Sequence, residues 1–195
     1  MKKLNIIVIA TVSLMLFGIN AQALVLTPGF INGTSCDTST DPACWSGTTP
    51  NNPKADDVEA LSGATDLVEL YKAEVGDPVV EEGDLAASYV TRFLNDPLDP
   101  MDAQIDHVFG TDSVACPSCY LLVKDGDQNP SWYIFDISFW DGTETIYLED
   151  FWPNQGAISH ISIFGNSMNV PEPSVLMLIG LGLLGLGLAR KQISH

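Results

Sequence analysis

Four cysteines, three histidines and 25 carboxylates supply the reactive side chains of this 195-residue chain, and their spacing limits what they can do. Cys116-Pro-Ser-Cys119 has the spacing of a dithiol redox pair. Such a pair works through a thiolate stabilised at a helix N-terminus. Here Tyr120-Leu121-Leu122-Val123 follows, a β-forming run, and the motif reads as a structural disulfide. Cys36 and Cys44 bracket a polar loop. Of the three pairings that four cysteines allow, local pairing is preferred: Cys36–Cys44 and Cys116–Cys119. No second pair has metal-ligand spacing, which argues against zinc. Asp125-x-Asp127-x-Asn129, with Asp136 further on, resembles a calcium-loop spacing. That loop needs glycine at its sixth position, where Pro130 stands, so a plain hairpin turn is expected. No metal or other cofactor is therefore assigned.

Catalytic signals are sparse. His107 and His160 are the histidines between the two ends, and His160 falls mid-strand in Ile158-Ser159-His160-Ile161, a structural position. Gly-x-Ser-x-Gly, His-Glu-x-x-His and phosphate-loop patterns are absent from the sequence. Paired carboxylates carry little information in so acidic a chain. No catalytic residue is assigned and an enzyme is not expected; a secreted hydrolase is the remotest alternative. Trp132, Trp140 and Trp152 could stack on sugar rings, which makes a polysaccharide-binding module the nearer alternative. Aromatic side chains in a sandwich are also ordinary core or edge packing.

The elements that must carry these residues lie between two atypical ends. Residues 1–23 combine Met1-Lys2-Lys3, an apolar run from Leu4 to Ile19 and Ala21-Gln22-Ala23. A basic start, an apolar centre and a small-x-small end make a secretory signal peptide cut after Ala23, with Ala21 and Ala23 as the cleavage determinants. The four cysteines then lie in an oxidising compartment. Residues 24–170 hold 24 carboxylates against Lys54, Lys72, Arg92 and Lys124, a net charge of −20. That field repels nucleic acid and keeps an exported protein soluble.

Within this segment, Leu24-Val25-Leu26 reads as a short strand, followed by a loop to Pro53. Lys54 to Leu61 reads as one or two helical turns with Asp56 and Asp57 at their start. Leu67–Val75, Leu85–Leu94, Tyr120–Lys124, Trp132–Trp140, Thr143–Leu148 and Ala157–Phe164 read as strands, and Asn95–Asp106 as loop. On the Trp132–Trp140 strand, alternation puts Tyr133, Phe135, Ile137 and Phe139 on one face, with Trp132 and Trp140 on the other. Short strands between Asp/Gly/Asn turns imply an all-β fold, an antiparallel sandwich or jelly-roll-like domain.

The last segment, 171–195, is a separate module. Pro171-Glu172-Pro173 cannot be helical throughout. Residues 174–189 are uncharged and rich in Leu and Gly, and Arg190-Lys191 follow. As helix these sixteen residues span about 24 Å, and Pro173 with the basic stems extends them toward the roughly 30 Å core of a bilayer. The basic end marks the cytoplasmic side.

This combination, Val-Pro-Glu-Pro-Ser-Val-Leu-Met-Leu-Ile-Gly-Leu-Gly-Leu-Leu-Gly-Leu-Gly-Leu-Ala-Arg-Lys, resembles the PEP-CTERM sorting domain of exopolysaccharide-producing Gram-negative bacteria. The resemblance implies recognition by exosortase, a multi-pass membrane transpeptidase with a cysteine nucleophile. It makes Pro171, Glu172 and Pro173 the recognition element, and Arg190 and Lys191 the topology determinant. It also implies an inner-membrane-anchored precursor, then a cell-surface or matrix protein associated with exopolysaccharide and biofilm. The family usually ends close to its basic cluster, whereas here Gln-Ile-Ser-His follows. The stretch from Cys116 to Ile163 is similar to the bodies of many small proteins with such tails, for which the resemblance implies no activity.

Overall fold

A computed structural model describes residues 23–28, 36, 42–96, 98–153 and 158–166 of the chain. The expected leader and sorting tail, apart from Ala23, lie outside the described residues. Among the described residues ten strands and one helix follow one another: β1 (Leu24–Leu26), β2 (Cys44–Gly47), α1 (Ala55–Ser62), β3 (Leu67–Glu74), β4 (Val80–Glu82), β5 (Tyr89–Leu94), β6 (Asp102–His107), β7 (Cys119–Asp125), β8 (Trp132–Asp136), β9 (Ile146–Leu148) and β10 (Ile158–Asn166). They form a four-stranded sheet in the order β1-β9-β6-β5 and a six-stranded sheet in the order β2-β8-β7-β10-β3-β4. The all-β expectation holds. Pairing is antiparallel except between β1 and β9, which run parallel.

The two sheets share one core. Leu26, Tyr89, Ala103, Ile105, Ile146 and Leu148 from the smaller sheet meet Tyr71, Leu121, Val123, Phe135, Ile161 and Ile163 from the larger. The opposite face of the larger sheet is also covered in part: Val58 of α1 packs with Tyr120, Leu122, Trp132, Ile134 and Phe164. This double coverage explains why all seven residues of β7 are buried rather than alternating in and out. The helix starts where Asp57 accepts a hydrogen bond from the Lys54 backbone N–H (2.9 Å) and ends at Gly63, which is left-handed at φ 79°.

Three expectations change. The Asn95–Asp106 loop contains most of β6, whose Ala103 and Ile105 point inward while Asp102, Gln104 and Asp106 stay at the surface. Its polar residues conceal the strand. Gln104 and Thr145 donate to the Asp106 carboxylate, which also meets Arg92 at 2.6 Å. Strand β2 lies in the stretch read as loop, and β4 in a stretch given no element, since each has only three or four residues. The strand expected to reach Trp140 stops at Asp136, and a turn closed by Trp140 N–H to Ile137 O (2.9 Å) follows. The turn breaks the alternation, so Phe139 is 60% exposed while Trp140 enters the core.

Buried hydroxyls tie the layers together. Tyr71 on β3 donates to Glu81 on β4 (2.9 Å) and contacts Thr91 on β5 (2.7 Å), joining the two sheets. The Tyr89 hydroxyl donates to Gly142 O and accepts from Val114 N–H, each at 2.8 Å, and so holds two loops against β5. Gly142 allows this approach: its φ is +82°, and a Cβ there would lie 2.2 Å from Val114 O.

Replacing Tyr89 by Phe strands a buried N–H and a carbonyl, and is expected to cost about 1–3 kcal/mol of folding free energy. Chemical denaturation checks this; an unchanged midpoint would contradict the role of the hydroxyl.

Candidate functional site

Both expected disulfides are present, Cys36–Cys44 and Cys116–Cys119. Cys119 opens β7, and a Cβ added to Gly165 on β10 would stand 3.3 Å from its Sγ. The Cys116–Cys119 bridge thus staples a loop onto the start of a buried strand, and among the described residues no helix N-terminus lies at the motif to activate a thiolate.

The three tryptophans proposed as sugar platforms are inside the fold. Trp132, Trp140 and Trp152 are 3%, 2% and 5% exposed. Each indole N–H donates to a backbone carbonyl: Trp132 to Pro50 (3.0 Å), Trp140 to Glu144 (2.9 Å) and Trp152 to Pro130 (2.7 Å). Their faces pack on neighbours, Trp140 on Tyr89 and Trp152 on Tyr133 and Phe151. Stacking a polymer on these rings would require unpacking the core, which corrects the expectation for all three.

The acidic hairpin between β7 and β8 is a turn. Asp125 Oδ1 accepts from the N–H groups of Asp127 (2.7 Å) and Gln128 (3.3 Å). Asp136 lies at the far end of β8, opposite Tyr120, and accepts from Ser138 N–H. Asp125 and Asp136 therefore do not converge. Among the described residues no group of three or more His, Cys, Asp or Glu side chains is placed to hold a metal ion.

His107 and His160 occupy unlike settings. His107 sits at the end of β6, where its ring packs edge-on against Tyr89 and Nε2 contacts Thr111 (3.3 Å). His160 lies on β10, with Glu74 of β3 and Lys124 of β7 as its cross-strand neighbours. Burial, reinforced by the charges of Lys72 and Lys124, pushes its pKa down to about 4, against a smaller opposing pull from Glu74. His160 is consequently neutral at neutral pH.

Beside His160, on the outer face of the six-stranded sheet, is a cavity of about 280 Å³. Asn52 and Lys54 come from the segment leading into α1, Glu69 and Lys72 from β3, and His160 and Phe164 from β10. Phe164 belongs to the apolar cluster under α1 and is 1% exposed where it reaches the cavity. Lys72 is ion-paired with Glu74. Burial alone would lower its pKa, but Glu74, Glu69 and Glu82 together raise it. The site was missed in the sequence because its members lie on three segments up to about 110 residues apart, and only the register of β10 against β3 joins them.

Among the described residues no helix is long and apolar enough to cross a membrane. Pro171, Glu172, Pro173, Arg190, Lys191, Ala21 and the span 174–189 fall outside those residues, and Ala23 immediately precedes β1. Residues 169–191 match the family model of the PEP-CTERM protein-sorting motif. No curated protein and no solved structure matches the chain.

The depressed His160 pKa has a consequence for stability. Unfolded His takes up its proton near pH 6.5, whereas the folded side chain does so only near 4. The unfolded state therefore binds more protons between these values, and stability falls as pH drops through this window. The loss is of order 3 kcal/mol when complete. Denaturant titrations from pH 7 to pH 4.5 should show a shallower decline for His160→Gln than for the unaltered chain. Parallel declines would contradict the assignment.

Proposed function

We propose that this chain, a PEP-CTERM motif protein, is an exported surface or matrix protein whose tail is read and removed by an exosortase-like membrane transpeptidase. The single observation that carries the reading is the sorting-motif match over residues 169–191. In that reaction the protein is substrate, not catalyst. Residues 1–23 serve as leader, 24–170 as the delivered domain and 171–195 as the sorting tail, with 174–189 as the membrane span of the precursor.

Physical chemistry supports this division of labour. Two prolines around Glu172 hold the backbone extended, so it can enter a cleft at the membrane surface without first unwinding a helix. Glu172 offers its carboxylate to a cationic recognition site, and Arg190-Lys191 keep the tail's end in the cytoplasm. Two disulfides suit an oxidising destination. The domain, at −20 over residues 24–170, remains soluble once released and repels nucleic acid. We further propose that its destination is the exopolysaccharide matrix of a biofilm.

Substituting Pro171, Glu172 and Pro173 together by Ala is expected to leave an uncleaved, membrane-associated precursor and to deplete the surface form. Fractionation and immunoblotting of the producing cells check this. Processing of the triple variant at the normal rate would contradict the recognition role.

A further inference from the structure

The cavity beside His160 has a composition that selects a ligand class. Its donors and acceptors are separate and mixed in sign. Among the described residues Lys54 and Glu69 form no ion pair, while Lys72 is already neutralised by Glu74. Among the described residues the lining thus has one cation, Lys54, and one anion, Glu69, outside any ion pair, although the Glu69 charge also acts on Lys72. A small anion gains from Lys54 and is repelled by Glu69; a cation meets the reverse. A metal would find one charged ligand, Glu69, beside the neutral His160 ring and the Asn52 amide oxygen.

His160 adds a neutral imidazole. Its Nδ1 lies 3.4 Å from Ser159 Oγ, and Nε2 has no hydrogen-bond partner among the described residues. A neutral imidazole can donate from one nitrogen and accept at the other. Asn52 supplies an amide of both polarities. Ser162, on the same face between His160 and Phe164, is fully buried, and its Oγ has no hydrogen-bond partner among the described residues. It lies opposite Lys72 in the sheet. At about 280 Å³ the cavity falls just below the roughly 300–1,000 Å³ of sites for drug-sized ligands. It holds one ring and not a stretch of polymer lying flat.

We propose that this cavity, lined by Asn52, Lys54, Glu69, Lys72 and His160, binds one uncharged sugar ring through its hydroxyl groups. Ammonium groups donate to hydroxyl oxygens, and the Glu69 carboxylate accepts from hydroxyl hydrogens. The proposal deepens the exopolysaccharide association and is independent of how the tail is processed. It also moves the sugar contact from the three buried tryptophans to a site on the opposite side of the larger sheet from the shared core.

The test uses the full-length chain in a detergent without a sugar headgroup, with its histidines isotopically labelled. The methyl glycosides of glucose, galactose, mannose and N-acetylglucosamine are titrated separately, with sodium glucuronate as the charged comparison. At least one neutral glycoside should shift the His160 ring resonances saturably. Lys54→Ala and Glu69→Gln, both at exposed positions, should each weaken that binding about tenfold. No saturable shift with any neutral glycoside, a response to glucuronate alone, or undiminished affinity in both folded variants would each overturn the proposal. Normal tail processing in a chain that binds no glycoside would sink this inference and leave the sorting reading standing.

Discussion

The placement of β10 between β7 and β3 is the constraint on which the rest of the structure depends. The last strand of the domain is an interior strand of the larger sheet. Its Ile161 and Ile163 are fully buried in the core between the sheets, while His160, Ser162 and Phe164 line the other face. Until β10 inserts, β7 and β3 each lack a hydrogen-bonded neighbour, and both apolar clusters are incomplete. Four residues separate Asn166 from Pro171. In sequence the sorting tail therefore follows directly on the strand that completes the fold.

The acidic shell follows from the same arrangement. Carboxylates sit mainly on surface-facing positions, and the few basic groups are used locally. Arg92 pairs with Asp106 across β5 and β6, and Lys72 pairs with Glu74 along β3. Exposed pairs of this kind contribute little to stability. The fold instead rests on apolar burial from both sheets and on buried hydroxyls such as those of Tyr71 and Tyr89. The excess charge is thereby free to govern solubility and long-range repulsion.

Much of this was legible in the sequence where local and global signals agree. The expected strands Tyr120–Lys124 and Ala157–Phe164 combine apolar and β-branched residues with flanking turn residues, and the structure has β7 at Cys119–Asp125 and β10 at Ile158–Asn166. The short, polar β6 was not legible, because only pairing with β5 and β9 makes Asp-Ala-Gln-Ile-Asp-His extended. The tryptophans misled for a related reason. Period-two alternation says which face a ring takes only while the strand continues, and the turn at Ile137 ends it. It also does not say whether the outer face is covered, and α1 covers it at Trp132. The local disulfides were legible because their cysteines lie eight and three positions apart. The cavity was not, since it needs the pairing of Lys72 with Ser162, some 90 residues away.

The domain and its tail divide the work: one supplies a stable, acidic body, the other its address. That address is carried by the motif at 169–191. Intact-mass and terminal-peptide mass spectrometry of the membrane-bound and released forms from the producing cells tests it most directly. The account predicts a released form that starts at Leu24 and ends before the 174–189 span, with a longer form confined to the membrane. A C-terminus at His195 in all of the mature protein would contradict it.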